Sequence, residues 1–160
     1  MKNITQNELN EMLELHEKWC DDDIEEYGVL ADFSNMDLSG LNLTGRNLSI
    51  VDFSGACLNG ANFTESNLGL AYFKHTNLTS TCFVHANLAG ANFTRSRLYK
   101  ADFTGANLTR ANFNEAVIIN TVFNRAICNN IKITRAKFIT SGSADQDLER
   151  FLSIYPDLDL

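Results

Sequence analysis

From Ala31 to Thr140 a large, mostly apolar residue returns at every fifth position without interruption, and nothing else in this chain limits its fold as severely. The twenty-two units are centred on Phe33, Leu38, Leu43, Leu48, Phe53, Leu58, Phe63, Leu68, Phe73, Leu78, Phe83, Leu88, Phe93, Leu98, Phe103, Leu108, Phe113, Ile118, Phe123, Cys128, Ile133 and Phe138. A fixed short repeat cannot bury its apolar side alone, so successive units must stack into a solenoid.

Two residues before most centres stands a small side chain, as at Ala56, Ala61, Ala71, Ala86, Ala91 and Ala101, with Ser66, Ser96, Thr76, Thr81 and Thr121 as variants. Inward positions two apart, with an outward residue between them, are the geometry of a short strand. The next two positions favour turn formers, as in Ser39-Gly40, Thr44-Gly45 and Asn59-Gly60. Each unit therefore reads as a very short strand followed by a corner.

The centres also set the number of sides. From Phe53 to Phe123, Phe alternates with Leu or Ile. A three-sided coil would place Phe over Leu from turn to turn, whereas a four-sided coil of twenty residues stacks like on like and lets one packing geometry recur. At the ~4.8 Å spacing of hydrogen-bonded strands, 110 residues make 5.5 coils and a rod roughly 26 Å long.

Ala61-Asn62-Phe63-Thr64-Glu65, Ala91-Asn92-Phe93-Thr94-Arg95, Ala101-Asp102-Phe103-Thr104-Gly105 and Ala106-Asn107-Leu108-Thr109-Arg110 closely resemble the A(D/N)LXX unit of the pentapeptide-repeat family. The resemblance implies an all-β solenoid, a right-handed quadrilateral β-helix. It also implies a candidate activity, because the best-understood members are acidic dimeric rods that mimic B-form DNA and occupy the DNA groove of gyrase.

The ends depart from the repeat. Thr5 and Glu8 form a capping box, and Leu9, Met12, Leu13, His16 and Trp19 recur at helical spacing, which predicts an amphipathic helix over 5–20 covering the first coil. Ser143 and Gln146 repeat the pattern before Leu148, Phe151 and Leu152, which predicts a short second helix stopped near Pro156. The organisation expected is an acidic N-terminal helix and linker over 1–30, the repeat β-helix over 31–140 and an acidic C-terminal helix or tail over 141–160. Without an apolar leader or a 20-residue apolar span, the expected location is the cytoplasm. Cys20, Cys57, Cys82 and Cys128 sit on different elements, the pattern of reduced thiols.

The net charge of −7 suits a DNA mimic, but its distribution does not. Residues 1–30 carry −7 and residues 141–160 carry −4, while the repeats carry +4. Imitating a phosphate backbone requires carboxylates along the rod, and Arg95, Arg97, Lys100, Arg110, Arg125, Lys132, Arg135 and Lys137 dominate its later coils. Any mimicking surface must come from the ends, with Glu14, Glu17, Asp21, Asp22, Asp23, Glu25 and Glu26 the densest acidic run. Direct nucleic-acid binding is disfavoured, because the basic residues spread over all four faces and the chain as a whole repels a polyanion.

One outward column stands apart: Tyr99, Ile119 and Ile139 stack beside Arg97, Val117 and Lys137. Outward apolar residues in register imply that something covers them. Tyr99, Val117, Ile119 and Ile139, with Phe151 and Leu152 of the tail, form the candidate interface for the C-terminal segment, a second copy or a protein partner. Ile50 and Leu70 pair on another face as a possible seat for the N-terminal helix or the 27–30 linker, and Asn47, Asn67, Asn87 and Asn107 align as an amide ladder. His75 and His85 occupy opposite sides of the rod, no phosphate loop or nucleophile motif occurs, and a filled solenoid has no deep pocket, so no enzyme, cofactor or metal is expected. Two readings remain: a non-enzymatic protein-interaction module, and an acidic inhibitor or protector of a DNA-acting enzyme such as gyrase or a defence nuclease.

Overall fold

The computed structural model describes residues 1–20 and 29–139. Its elements are β1 (Lys2–Asn3), α1 (Gln6–Cys20), β2 (Met36–Asp37), β3 (Arg97–Tyr99), β4 (Val117–Ile119) and β5 (Lys137–Ile139). Between them the chain runs as single-residue parallel bridges joining positions twenty apart, such as Asp52 to Tyr72 and Asn92 to Asn112. Each centre N–H donates to a carbonyl one coil ahead (Phe63 to Cys82, 2.8 Å), and each outward N–H to a carbonyl one coil behind (Asn62 to Leu41, 3.0 Å). Four five-residue sides therefore close each coil, and the coils stack in parallel.

Side chains follow that backbone register. Phe53 and Phe73 stack with centroids 5.1 Å apart and planes within 5°, and Phe63 and Phe83 do the same at 5.1 Å and 9°. The two Phe columns meet edge to face across the interior, as between Phe73 and Phe83 at 5.7 Å and 83°. Both arrangements suit the aromatic quadrupole. The Leu columns fill the other two sides, and every centre from Phe33 to Phe113 is buried. Burial loosens in the last coil, where Phe138 is half-buried.

The small position is small because it sits inside the corner, where Ala56 to Ala116 are buried. Most hydroxyls that replace alanine there find a carbonyl, as Ser66 bonds Phe63 O at 2.7 Å and Thr81 bonds Leu58 O at 2.8 Å, whereas the buried Ser96 hydroxyl has no hydrogen-bond partner. The outward Asp or Asn has its own task. Asp52 Oδ1 accepts from Ser54 N–H at 2.7 Å and Asn62 Oδ1 from Thr64 N–H at 3.0 Å, an Asx turn that starts the corner.

Corners from Asn35 to Arg135 all place the second residue after the centre at φ between 50° and 72°. Only six of these are glycine, so the left-handed conformation is imposed even on Ile50 and Leu70. Ladder bonds overdetermine it: the corner N–H of Ile50 donates to Gly69 O and that of Leu70 to Ala89 O, each at 2.9 Å.

α1 is capped as the Thr5 and Glu8 pattern requires, with Thr5 N–H on the Glu8 carboxylate (2.7 Å) and Glu8 N–H on Thr5 Oγ1 (3.2 Å). Gln6 exchanges two hydrogen bonds with the Asn42 backbone, and Glu17 pairs with Arg46 at 2.9 Å. Leu9, Leu13 and His16 are buried, whereas Trp19, expected on the same stripe, remains exposed and stacks beside His16. Leu70, the other expected seat of the helix or linker, is left 59% exposed, whereas Ile50 is half-buried. β1 pairs in parallel with β2, Lys2 opposite Met36 and Asn3 opposite Asp37, so the N-terminal residues supply a strand to the first coil.

Two measurements test this packing. Phe83→Ala should cost ~3–5 kcal/mol in thermal or urea unfolding, whereas Thr79→Ala, whose half-buried hydroxyl bonds only Asn77 Oδ1, should cost under about 1 kcal/mol. Comparable losses at the two sites would overturn the inward and outward assignment. Burial holds His16 below its ordinary pKa, and its Nδ1 accepts from Ala31 N–H. A depressed value means the folded state favours neutral imidazole, so stability is present above the unfolded pKa and falls as pH drops through the folded one. Melts from pH 8 to 5 should show this loss, and His16→Asn should flatten it.

Candidate functional site

The outward surface differs from side to side. On the side centred on Leu48, Asn67, Asn87 and Asn107 each donate through Nδ2 to the Asn one coil before, at 3.1, 3.0 and 3.2 Å, a closed amide ladder beginning at Asn47. That column offers structure and no unfilled chemistry. On the side centred on Leu38 the later coils form the three-stranded sheet β3-β4-β5, the only three-residue strands among the described repeats.

Composition explains why the strands lengthen there. Arg97, Val117 and Lys137 replace the Asp or Asn that in most units starts an Asx turn, and Tyr99, Ile119 and Ile139 stand where most other units carry Ser, Thr or Asn. Aromatic and β-branched residues at two outward positions keep the backbone extended. Register stacks Arg97 on Val117 on Lys137, and Tyr99 on Ile119 on Ile139. Tyr99 and Ile139 are exposed, the latter by 52%, and Val117 and Ile119 are half-buried. Lys100 Nζ lies 5.2 Å from the Tyr99 ring centroid. The result is a flat apolar strip rimmed by Arg97, Lys100 and Lys137, whose shape and charge suit a protein surface that carries carboxylates beside apolar groups.

Other basic residues project from corners, where Arg95, Lys100, Arg110, Arg125 and Arg135 all adopt positive φ. One corner column alternates in sign: Arg95 Nε meets Glu115 at 2.8 Å, with His75 and Arg135 on either side. The Arg95 guanidinium hydrogen-bonded to it, helped by Arg135 and His75, holds the Glu115 carboxyl below the usual carboxylate range. His85 belongs to the opposite corner column, where a Cβ at Gly105 would lie 2.4 Å from His85 Nδ1 and force that ring to move. A third column is notched at Gly90, giving an open groove of ≈ 460 Å³ lined by Leu70, Ala89, Thr109, Arg110 and Asn129. It brings together no nucleophile and base.

The remaining candidates separate. Glu14 is exposed, but Glu17 is engaged by Arg46, and Asp21, Asp22, Asp23, Glu25 and Glu26 lie outside the described residues, as do Phe151, Leu152 and the second helix. Among the described residues no cluster of His, Cys, Asp or Glu could hold a metal, and no helix is long and apolar enough to cross a membrane. The thiols share no cavity: Cys57 Sγ contacts Ser39 Oγ at 3.2 Å on one side of the rod, Cys82 lies on the next, and burial pushes Cys128 up to about 12. The sequence-level reading missed the Asx turns and the strand supplied by β1. The first is signalled by the Asp or Asn before most centres; the second has no local signal.

Comparison with known proteins supports the architecture. The family model described as pentapeptide repeats matches residues 29–64, 56–95, 71–110 and 101–138. The crystal structure of the pentapeptide repeat protein Rfr23 from the cyanobacterium Cyanothece 51142 is similar with a TM-score of 0.65 at 20% identity, covering 67% of this chain and 86% of its own. HetL, a pentapeptide repeat protein involved in heterocyst differentiation regulation in Nostoc sp. strain PCC 7120, aligns with a TM-score of 0.44 at 21% identity over 67% of this chain and 63% of its own. QnrB1, a plasmid-mediated fluoroquinolone resistance protein, aligns with a TM-score of 0.39 at 18% identity over 75% of this chain and 84% of its own. No curated protein matches the sequence significantly. The family match and the likeness to Rfr23 imply that the four-sided coil is a right-handed quadrilateral β-helix.

The charged corner can be tested directly. In a carbon-detected NMR titration the Glu115 midpoint should lie below the ordinary carboxylate value of 4.5 and rise in Arg95→Gln. With a depressed folded value, its contribution to stability is present above the unfolded pKa and lost as pH falls through the folded one.

Proposed function

The chain belongs to the pentapeptide-repeat family, and on that premise we propose that it is a non-enzymatic protein-interaction module that binds its partner through the β3-β4-β5 face. The observation that carries this reading is the strip of Tyr99, Val117, Ile119 and Ile139, held in register on a rigid scaffold and rimmed by Arg97, Lys100 and Lys137. Rigid strands present these side chains at little conformational cost on binding, and an aromatic residue with flanking cations supplies the residue types that dominate interface energetics. The rod of about five and a half coils serves as a spacer and platform, with α1 covering its first coil.

DNA mimicry has weaker support. The outward carboxylates of the described repeats are Asp32, Asp37, Asp52, Glu65, Asp102 and Glu115, and the last is neutralised by Arg95. A gyrase-type groove built for polyanions would meet more cations than anions along the later coils.

Tyr99→Glu with Ile119→Glu should leave the melting temperature nearly unchanged while abolishing capture of a cross-linkable partner from cells of the source organism. Recovery of the same partner by the wild type and the double variant would overturn the face assignment. In parallel, purified protein at micromolar concentration and low salt should not inhibit gyrase supercoiling or displace DNA from the enzyme. Clear inhibition would favour the acidic-mimic reading.

A further inference from the structure

A second exposed apolar group lies at the opposite end of the rod, and its flanking charge is of opposite sign. On α1 the residues Glu11, Leu15 and Trp19 are spaced by four and share one stripe, with Glu8 a turn before them. All four are exposed, because the buried stripe of Leu9, Leu13 and His16 faces the first coil. Val29, also exposed, extends the group, its N–H donating to Leu15 O at 3.0 Å. A helix that served only as a cap would turn a polar outer face to water. This one turns an acidic half, Glu8 and Glu11, and an apolar half, Leu15 and Trp19.

The β3-β4-β5 strip is its complement. Ile119 and Ile139 make the late end apolar, while Arg97 and Lys100 rim the early end beside Tyr99. Strand rungs repeat every ~4.8 Å, and helical residues four apart rise by about 6 Å. A helix laid along the rod therefore sets Leu15 and Trp19 on successive rungs over Ile119 and Ile139 and carries Glu11 and Glu8 to Arg97 and Lys100. Lys137 then stands beside the Trp19 indole, whose face attracts a cation.

The two surfaces of one chain cannot meet. α1 is fixed to the first coil by the Gln6 bonds to Asn42 and by Glu17 with Arg46. Arg97 stands three bridges above Asp37, roughly 14 Å further along the rod. Resting on the reading that this face binds a partner, we propose that the partner is a second copy of this chain, whose α1 stripe of Glu8, Glu11, Leu15 and Trp19 docks on Tyr99, Ile119 and Ile139. The contact joins two different surfaces, so a pair of chains keeps one of each free to extend the assembly or close a ring. A contact this small belongs with transient interfaces, and its rim charges make it sensitive to salt.

The test is sedimentation of the full chain up to high micromolar concentration, at low and at high salt. Mass should rise with concentration, and less steeply in high salt. Leu15→Asn with Trp19→Gln, and separately Tyr99→Glu with Ile119→Glu, should each weaken association by about tenfold or more. An equimolar mixture of the two double variants should recover a 1:1 complex, because one keeps the strip and the other keeps α1; recovery also shows that both are folded. A wild type that stays monomeric, association that survives the loss of Leu15 and Trp19, or a mixture that stays monomeric would each overturn the second-copy proposal. None of these touches the reading on which it rests, which fails separately when Tyr99→Glu with Ile119→Glu leaves partner capture intact.

Discussion

Everything in this protein depends on the parallel ladder that ties each residue to the one twenty positions away. Its hydrogen bonds are indifferent to side chain, but they bring identical positions of successive coils within stacking distance. Once Phe53 must sit over Phe33 and under Phe73, the aromatic columns adopt one face-to-face spacing throughout, and their edge-to-face meeting across the interior follows. Ladder and columns are mutually supporting: the bonds fix the spacing that the rings require, and the rings exclude water from the bonds.

The same ladder explains how the corners tolerate residues they should not favour. A left-handed conformation costs an ordinary L-residue roughly 1–2 kcal/mol, yet His75, Arg95, Glu115 and Arg135 adopt it one above another. Two anchored strands leave the corner no other path. Because almost any residue is accepted, corners become the freely variable part of the rod, and this chain has placed much of its positive charge there. Surface chemistry is thereby separated from folding, with inward positions carrying stability and corners and outward positions carrying character.

That separation makes the β3-β4-β5 face informative. An outward position needs nothing from the core, and in most units it is occupied by Asp or Asn for the Asx turn or the amide ladder. Under the proposed reading, the loss of those turns at Arg97, Val117 and Lys137 and the outward Tyr99, Ile119 and Ile139 beside them serve contact with another surface, which the scaffold presents on regular strands.

The sequence by itself determined the five-residue period, the four sides through the alternation of Phe with Leu, the inward and outward register and the uneven distribution of charge. These were legible because each depends on spacing along one chain. The aligned apolar residues of the candidate face were legible for the same reason, since a constant coil length converts sequence separation into neighbourhood. Only the tertiary structure decided that β1 pairs with Met36 and Asp37, that α1 settles on Asn42 and Arg46 and leaves Trp19 and Leu70 exposed, and that every corner from Asn35 to Arg135 is left-handed whatever its residue. Those outcomes rest on contacts between segments outside the repeat and on backbone bonds that no side-chain pattern records, which is where a period ceases to be a guide.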